Sequence, residues 1–254
     1  MSGKYLDYIT IDNYHEDKTV KFLCFQNCII SVELFLNKTW EPHMHRIFEK
    51  YITKDSIVIE GGAYIGTHTI KLAYLSKHVY AFEPMPQTNN TLTNNLKLND
   101  ITNVTVFNEG LSDKIGNTYY EWSEIDNPGG SGLANNPDGK TGDTNPYFIN
   151  ILENKKNKIE VNLITIDSLN LQRVDFIKLD IEGYEILAIN GAIETIKKYK
   201  PIITLEVWSS VDKCDIEYTK SKFKILLDLG YTVEQISVST NIEYPDFLFL
   251  PIPI

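Results

Sequence analysis

Four acidic residues mark the part of the chain where chemistry is most to be expected. Glu60, Glu83, Asp180 and Glu206 each end a short apolar run that has the length and composition of a buried strand. In open α/β sheets, ligands bind at the carboxyl ends of the parallel strands. The sequence therefore predicts that three neighbouring strands, those ending in Glu60, Asp180 and Glu206, present carboxylates along one edge of a sheet.

A glycine-rich turn follows the first of these acids. Gly61, Gly62 and Gly66 lie within the six residues after Glu60, and a helical pattern comes next. Glycine lets the backbone approach a ligand closely at the start of a helix. Glu83, at the end of the next apolar run, is placed to accept hydrogen bonds from a ribose diol. The pattern predicts a site for a nucleoside-containing cofactor.

The same turn indicates the charge of that cofactor. The Gly-x-Gly-x-x-Gly fingerprint of nicotinamide enzymes needs a glycine where this chain has Ala63. Glu60 would also lie close to a pyrophosphate, which is electrostatically unfavourable. A cationic cofactor without phosphate suits such an acid, and S-adenosylmethionine meets both conditions. A nicotinamide-dependent oxidoreductase is the alternative, although no Tyr-x-x-x-Lys pair stands out.

A second acidic cluster contains Asp180, Glu182 and Glu185. Three carboxylates within six residues repel one another unless a cation, protons or hydrogen-bond donors compensate. The cluster therefore predicts part of a functional site. Capping by Asp180 or Glu182 of the helix that starts near Tyr184 is the simpler alternative.

The composition is that of an ordinary globular protein. The chain has 254 residues, of which 43% are hydrophobic and 23% charged, and this suffices for one large domain. A net charge of −10 argues against nucleic acid as a partner, because phosphate binding depends on Lys and Arg. Three cysteines (Cys24, Cys28 and Cys214) form no disulfide framework, which fits a reducing compartment. The polar N-terminus lacks a signal-peptide pattern and no apolar run is long enough to cross a bilayer, so we expect a cytoplasmic protein without a membrane partner.

Strand and helix patterns alternate from Ser56 onward, which favours a doubly wound α/β sheet, mostly parallel, with helices on both faces. Two consecutive strands at the end predict an antiparallel closing hairpin. The predicted strands are Ile57–Glu60, His78–Phe82, Val104–Asn108, Asp175–Leu179, Ile202–Val207, Tyr231–Ile236 and Asp246–Leu250. The predicted helices are Thr67–Ser76, Gln87–Leu98, Tyr184–Asn190 with a continuation toward Lys198, and Thr219–Leu229.

Two segments lie outside this alternation. Residues 1–52 are predicted to form an extension to the main domain (residues 53–254), with a β-hairpin made of Val20–Phe25 and Ile29–Leu36 and a helix within Trp40–Tyr51. Gly116–Lys158 is rich in Asn, Asp, Gly and Pro, and insertions of this length are usually functional or disordered. Its aromatic residues favour a partly ordered flap and could stack on a sugar ring. They are Tyr119, Tyr120, Trp122, Tyr147 and Phe148.

Taken together, these residues resemble the FkbM family of S-adenosylmethionine-dependent methyltransferases. The matching segments are Glu60–Thr69, Ala81–Pro84, Asn108–Asp113 and Ile177–Glu185, within a likeness from about Glu41 to Trp208. Gly61 and Tyr64 depart from the family pattern, which has Val or Ile and then Asn at these places. The resemblance implies a class I methyltransferase fold with a Rossmann-like seven-stranded sheet. It also implies O-methylation of a hydroxyl on a sugar or another small molecule.

The resemblance also implies roles for individual residues on the cofactor side. Residues of the first segment would line the methionine end of S-adenosylmethionine, Glu83 would hold its ribose, and the third segment would lie near its adenine. The cofactor-binding candidates are Glu60, Gly62, Ala63, Tyr64, Gly66, Thr69, Glu83, Asn108, Glu109, Ser112 and Asp180.

On the acceptor side, transfer to an alcohol needs removal or polarisation of its proton as the new bond forms. Asp180 is the first candidate, as a base or as the ligand of a cation, followed by Glu182, Glu206 and His68. A divalent cation such as Mg²⁺, held by Asp180 and Glu206, would lower the pKa of the hydroxyl, although the sequence does not establish one. His68 is explained equally well as a histidine at the start of a helix without a catalytic role. The oligomeric state, including a homodimer, stays open.

Three residues upstream of the glycine turn have simple explanations. His43 and His45 differ by two positions, which places them on different faces of a helix, and we interpret them as incidental. Glu41 matches an acid found upstream in the family, but helix capping is the simpler account. A catalytically silent binding module is a further functional alternative, against which the retained acids argue because clustered acids without a purpose destabilise a fold.

Overall fold

The computed structural model describes residues 8–26, 28–122, 132–133, 157–207, 215–237 and 245–253. Within them the chain forms a seven-stranded central sheet, a four-stranded second sheet and an N-terminal hairpin. The strands are β1 (Ile9–His15), β2 (Lys18–Phe22), β3 (Ile57–Gly61), β4 (His78–Phe82), β5 (Val104–Phe107), β6 (Glu109–Leu111), β7 (Gly116–Trp122), β8 (Gly132–Leu133), β9 (Asn157–Ile164), β10 (Phe176–Leu179), β11 (Ile202–Glu206), β12 (Tyr231–Gln235) and β13 (Asp246–Pro251). The helices are α1 (Ile29–Asn37), α2 (Pro42–Tyr51), α3 (Thr67–Leu75), α4 (Pro86–Leu98), α5 (Glu185–Asn190), α6 (Ile193–Tyr199), α7 (Ile216–Lys222) and α8 (Lys224–Asp228).

The central sheet has the strand order β12-β13-β11-β10-β3-β4-β5. Five strands are parallel, and β13 is antiparallel to both β11 and β12. The predicted doubly wound sheet and its antiparallel closing strands are therefore confirmed. Since β11, β10 and β3 are adjacent, Glu60, Asp180 and Glu206 do lie at one edge of the sheet.

Alternating side chains of the central strands supply two hydrophobic cores. Val58 packs with Phe48 and Ile70 beneath the N-terminal elements. Its neighbour Ile59 packs on the opposite face with Phe249. Successive residues of a strand point to opposite faces, so a strand that is covered on both sides is a continuous apolar run. This is why the central strands could be recognised from sequence.

The second sheet was not predicted. Its order is β6-β9-β7-β8; β7 and β8 lie inside the segment Gly116–Lys158 that we expected to be an insertion, β6 precedes that segment, and β9 begins at its end. β7 is antiparallel to β9, and the three-residue β6 joins β9 in parallel. The predicted flap therefore starts and ends as paired strands. Of its aromatic residues, Tyr147 and Phe148 lie outside the described residues.

The predicted N-terminal hairpin is wrong in its second strand. The hairpin consists of β1 and β2, while Ile29–Leu36 belongs to helix α1. Ile30 and Leu34, four positions apart, face the core, whereas Phe35 is 63% exposed. Because α1 is apolar on its outer face as well, its sequence shows no helical period. The predicted helix after it is confirmed as α2.

Asn95 of α4 and Asn99, the residue that follows the last turn of this helix, hold the N-terminal segment against the main domain. Asn95 accepts from the backbone N–H of Leu23 (2.7 Å) and donates to the carbonyls of Leu23 (3.1 Å) and Ile65 (2.8 Å). Asn99 pairs in the same way with both backbone groups of Lys21, each at 2.8 Å. Asn95 and Asn99, which are four residues apart along a helix, thus reach Leu23 and Lys21, which are two residues apart along an extended segment. The boundary at residue 52 stays a prediction.

Two predicted helices are each divided in two. The helix from Tyr184 toward Lys198 breaks at Gly191, where a Cβ atom would lie 2.0 Å from the carbonyl oxygen of Ser112. The predicted helix Thr219–Leu229 likewise consists of α7 and α8, which meet at Phe223. In each case a buried contact at the break overrides the helical pattern.

The expected cytoplasmic location stays a prediction. Among the helices of the described ranges, none combines the length and apolar character that a membrane span requires. Cys24 and Cys28 are buried free thiols, and Cys214 lies outside the described residues.

Candidate active site

A cleft opens at the carboxyl ends of β3, β4 and β10, where the sequence predicts a ligand site. Its empty volume, including the space that is open to solvent, is about 760 Å³. The predicted residues in its wall are Glu60, Gly62, Ala63, Tyr64, His68, Glu83, Glu109, Asp180 and Glu182. The predicted residues outside its wall are Gly66, Thr69, Asn108, Ser112 and Glu206.

Glu60 is a buried carboxyl group without a hydrogen-bond partner among the described residues. It is fully buried, and neither carboxylate oxygen has a partner. Burial raises the pKa of Glu60 to about 7, against the lowering effect of Lys178 beside it. The hydroxyl of Thr69 lies near enough to lower the pKa of Glu60, although the two groups do not meet the geometry of a hydrogen bond. Because an unpaired buried polar group costs free energy, this corner of the cleft lacks a donor or a cation.

Glu83 is held firmly at the end of β4. Its carboxylate accepts from Tyr64 N (2.9 Å), Met85 N (3.0 Å) and Thr88 Oγ1 (2.7 Å). Burial raises the pKa of Glu83, and these donors act against that shift. A carboxylate offers about four acceptor positions. Glu83 is therefore oriented by the protein and can still accept a hydrogen bond from a ligand in the cleft.

Lys178 forms an ion pair with Asp180 within the cleft wall. Its ammonium lies 3.1 Å from Asp180 Oδ2, and its Cα is in register with that of Glu60. Although burial lowers the pKa of Lys178, the charges of Asp180, Glu60 and Glu41 raise it overall. Burial would raise the pKa of Asp180, but Lys178 holds it below its usual range. One buried cation thus faces three carboxyl groups, and Asp180 stays ionised.

Glu206 is hydrogen-bonded to Asp180 in surroundings that favour its protonated form. Burial and the charge of Asp180 raise the pKa of Glu206 well above its usual value, and the two carboxyl groups share a hydrogen bond. No cluster of three or more His, Cys, Asp or Glu in the described ranges could hold a metal ion. Because Asp180 forms an ion pair with Lys178 and a hydrogen bond with Glu206, the predicted metal site at Asp180 and Glu206 is not supported.

His68, at the start of α3, is bonded to Glu41. His68 Nε2 lies 2.8 Å from Glu41 Oε2, and His68 Nδ1 has no partner in the described part of the chain. Burial lowers the pKa of His68 far below its usual value, and burial also raises that of Glu41 to about 7. The Glu41 side chain makes no capping hydrogen bond to α2, so the capping explanation is wrong.

The interpretation of His43 as incidental is corrected as well. His43 Nε2 lies 2.7 Å from Asp246 Oδ2, and this hydrogen bond raises the pKa of His43. Burial outweighs the same contact at Asp246, whose pKa is about 6. The partner is 203 residues away in the chain, so spacing could not reveal it. His45 is partly buried with its ring against His68, and this desolvation lowers its pKa to about 3.

Unusual backbone conformations surround the cleft. Glu41, Tyr64 and Glu182 have φ values of 45°, 49° and 57°, in the left-handed region that non-glycine residues rarely adopt. Gly62 has φ 78°, and a Cβ on it would lie 1.7 Å from the carbonyl oxygen of Asp180. Such strain concentrates at functional sites.

Several candidates hold the loops around the cleft. Asn108 Nδ2 donates to the carbonyls of Glu83 and Pro84, each at 3.0 Å. Ser112 is buried, and its backbone N–H donates to Ile164. Their predicted position near the adenine has no support in the cleft wall.

The turn after β10 is fixed by Glu185. Its Oε1 accepts from the backbone N–H groups of Ile181 (2.9 Å) and Gly183 (3.2 Å), and burial raises the pKa of Glu185 to about 7. The N-cap residue of helix α5, Tyr184, makes no side-chain capping hydrogen bond, and the capping alternative for Asp180 and Glu182 stays a prediction.

The sequence analysis missed part of the cleft wall. Lys178 was not recognised as a site residue, because a lysine within an apolar strand is readily interpreted as a residue at the edge of a sheet. Tyr120 and Leu133 come from the unpredicted second sheet, and Ile30 and Trp40 come from the N-terminal segment. The outlying acids Glu41 and Asp246 were the available signals, but only the fold brings them to Asp180.

Comparison with known proteins decides the family. The model of the methyltransferase FkbM domain matches residues 60–233. The chain belongs to the FkbM methyltransferase family. The resemblance seen in the sequence is thereby confirmed, and the matched range contains Glu60, Glu83, Asp180 and Glu206.

Two curated relatives and one solved structure are similar to this chain. Methyltransferase 1 of Beauveria bassiana is 25% identical over 181 residues, covering 66% of this chain and 66% of the relative. The hexuronic acid methyltransferase AglP of Haloferax volcanii is 24% identical over 189 residues, covering 74% and 71%. The chain thus spans about two thirds of the length of these relatives. The crystal structure of an FkbM methyltransferase from Methylobacillus flagellatus KT is 18% identical with a TM-score of 0.52, covering 81% of this chain and 50% of that one, which confirms the class I methyltransferase fold.

Proposed function

We propose that this FkbM protein is an S-adenosylmethionine-dependent O-methyltransferase that acts on a hydroxyl of a sugar, a glycan or another small metabolite. The observation that carries the proposal is the buried, unpartnered carboxyl group of Glu60 in the cleft wall. The family supplies the reaction class. A relative named for hexuronic acid methylation supports a sugar as the acceptor.

The residues of the cleft fit this cofactor. Glu60 would accept from the α-ammonium group, and Glu83 would accept from the ribose hydroxyls. Glu109, in the same wall, lies on the side where the adenine is expected. When bound, S-adenosylmethionine supplies an electrophilic methyl group on a cationic sulfur. The acids in the cleft wall favour that charge and disfavour a pyrophosphate, which argues against the nicotinamide alternative.

On the acceptor side, Asp180 is suited to hold the hydroxyl in place. It is ionised and partly exposed, with 30% of its side chain accessible, so it can accept a hydrogen bond from the acceptor. Its carboxylate is already engaged by the ammonium of Lys178 at 3.1 Å, which favours orientation over proton removal. Glu182 lies in the same wall and adds negative charge.

The proposal is tested by titrating the purified protein with S-adenosylmethionine and with NAD in a calorimeter. We expect heat of binding with S-adenosylmethionine only, and at least a tenfold loss of affinity in the Glu60→Gln variant. The exposed acid Glu194 provides a matched control, because Glu194→Gln should bind as the original protein does. Binding of NAD alone would overturn the assignment.

Turnover separates an enzyme from a silent binding module. The protein is incubated with S-adenosylmethionine and a panel of neutral, acidic and amino sugars, and S-adenosylhomocysteine is measured. Formation of this product with a methyl ether on the sugar supports the proposal. Tight cofactor binding without product across hydroxyl acceptors of every class would favour the silent module.

A further inference from the structure

The contact between Glu41 and His68 has no role in the function as proposed so far. We propose that Glu41 positions His68 as the general base of methyl transfer, by accepting the Nε2 proton of His68 and leaving Nδ1 of the ring to accept the proton of the substrate hydroxyl. This inference rests on the proposed function, and it assigns the proton acceptor within it.

The hydrogen bonding of the His68 ring supports this arrangement. A neutral imidazole has one donor and one acceptor nitrogen, and a carboxylate only accepts. Because Nε2 lies 2.8 Å from Glu41 Oε2, the proton belongs on Nε2 whenever Glu41 is ionised. Nδ1 is then an acceptor without a partner in the described residues, on a side chain that is 4% exposed and part of the cleft wall. The rings of His45 and Phe48, with centroids 5.6 Å and 5.4 Å away, fix its orientation.

The backbone conformation of Glu41 supports the same role. Its φ of 45° is a costly conformation for a residue with a side chain, and it directly precedes Pro42 at the start of α2. The side chain does not cap that helix, so the strained residue is explained by its contact with His68.

The charges around the ring explain why Asp180 and Glu206 are poorer bases. Asp180 Oδ2 is engaged by Lys178 at 3.1 Å, and Glu206 is engaged by its hydrogen bond with Asp180. The groups that face His68 are Glu41 from the segment before α2, His43 and His45 from α2, and Lys178 and Asp180 from β10. Burial and Lys178 keep the ring neutral, and the negative charges of Glu41 and Asp180 stabilise it once it is protonated.

The proton balance of the step is complete. The hydroxyl oxygen forms a bond to the methyl carbon, the bond from that carbon to sulfur breaks, and sulfur keeps the electron pair. The hydroxyl proton passes to Nδ1 of His68. Once the methylated product has left, the imidazolium loses the Nδ1 proton to water that enters the cleft, which restores the neutral ring with its remaining proton on Nε2 toward Glu41.

The pKa of Glu41, about 7, gives this arrangement a specific pH dependence. Below that pH a protonated Glu41 donates to Nε2, which forces the ring proton onto Nδ1 and blocks the base. Activity should therefore fall as the pH drops through about 7.

The tautomer can be measured in the protein without any substrate. Nitrogen-15 NMR of histidine-labelled protein at pH 8, with His68 assigned from the spectrum of His68→Gln, should show Nδ1 unprotonated and Nε2 protonated. Lowering the pH through 7 should exchange the two signals, and Glu41→Gln should abolish the exchange. His78, bonded to Thr105 on the surface, is the control that should not respond to Glu41→Gln. A protonated Nδ1 at pH 8 would overturn the proposal.

Kinetics with an active acceptor provide the second test. Glu41→Gln should lower kcat by about 10²–10⁴-fold with KM nearly unchanged and remove the acid limb of the pH profile. The double variant Glu41→Gln/His68→Gln should be no slower than His68→Gln alone. An unchanged acid limb with additive losses would reduce Glu41 to a structural role. Failure to bind S-adenosylmethionine would sink the proposed function while leaving the tautomer result intact.

Discussion

Lys178 and Glu60 occupy opposite positions in the register of β10 and β3, and the ammonium of Lys178 is directed to Asp180. A single buried cation therefore compensates for acids on two strands at once. Its neighbour Glu60 retains no hydrogen bond to the described residues, so its pairing is left to a ligand. This arrangement connects the stability of the sheet edge to the charge state of the cleft.

Replacing Lys178 by Met should destabilise the protein, by about 3–5 kcal/mol, because breaking a buried ion pair leaves a carboxylate without compensation. Without Lys178 the pKa of Asp180 rises in the folded state, so the loss should be larger at pH 8 than at pH 5. Urea denaturation at both pH values measures this. The exposed pair of Lys197 and Glu194 offers the control: Lys197→Met should change the free energy of unfolding by less than about 0.5 kcal/mol.

Glu60 should make the protein without cofactor less stable as the pH rises. Burial raises its pKa from 4.5 to about 7, so the folded state binds more protons than the unfolded state between these values. The stability present below pH 4.5 is lost as the pH rises through 7. Glu60→Gln should flatten this slope and be more stable at pH 8 by about 1–3 kcal/mol. An unaltered slope in Glu60→Gln, measured against Glu194→Gln, would contradict the account.

Gly62→Ala should prevent folding or cost more than about 4 kcal/mol, because its Cβ would lie 1.7 Å from the carbonyl oxygen of Asp180. Gly230 separates this clash from backbone strain, since its φ of 83° is similar but no atom lies within 4 Å of its Cβ position. Gly230→Ala should cost only about 1–2 kcal/mol. Thermal unfolding of both variants makes the comparison, and equal losses would show that the close approach is unimportant.

Asp180→Asn should lower kcat by about 10²-fold or more, because the amide orients the acceptor hydroxyl poorly and leaves Lys178 without its ion pair. Binding of S-adenosylmethionine should change by less than tenfold. Calorimetry and S-adenosylhomocysteine formation measure the two effects separately. Asp228→Asn, on an exposed pair with Lys224, is the control. An unaffected rate in Asp180→Asn would exclude Asp180 from catalysis.

The central sheet could be predicted from sequence because its strands are covered on both faces. Phe176–Leu179 reads as a strand for that reason, and the acid after it marks the carboxyl end. Ile29–Leu36 was wrongly predicted to be a strand. Helix α1 exposes large apolar residues, so its sequence does not show the spacing of apolar and polar residues that is typical of a helix. The second sheet escaped because its pairing is non-local: β6 has three residues, and its partner follows the long insertion.

The residues of the candidate site could be predicted where they lie at the ends of strands that the sequence pattern already indicates. Glu60 and Glu83 sit at strand ends, and both were found. Glu41 and Asp246 are brought to Asp180 by folding alone, across long sequence separations, and no local pattern could report this. Lys178 could not be recognised as a site residue without knowing which acids surround it in the folded protein.

The hydrogen bonds from Asn95 and Asn99 to Leu23 and Lys21 have a consequence for preparing shortened versions of the chain. A fragment limited to the family range 60–233 would lack Lys21 and Leu23, so the side-chain amides of Asn95 and Asn99 would lose their hydrogen bonds to these two residues. It would also lose the hydrogen bond from the Tyr14 hydroxyl to the carbonyl of Thr67. The smallest fragment fit for screening acceptors must therefore begin upstream of Tyr14, well before the residues that it shares with its relatives.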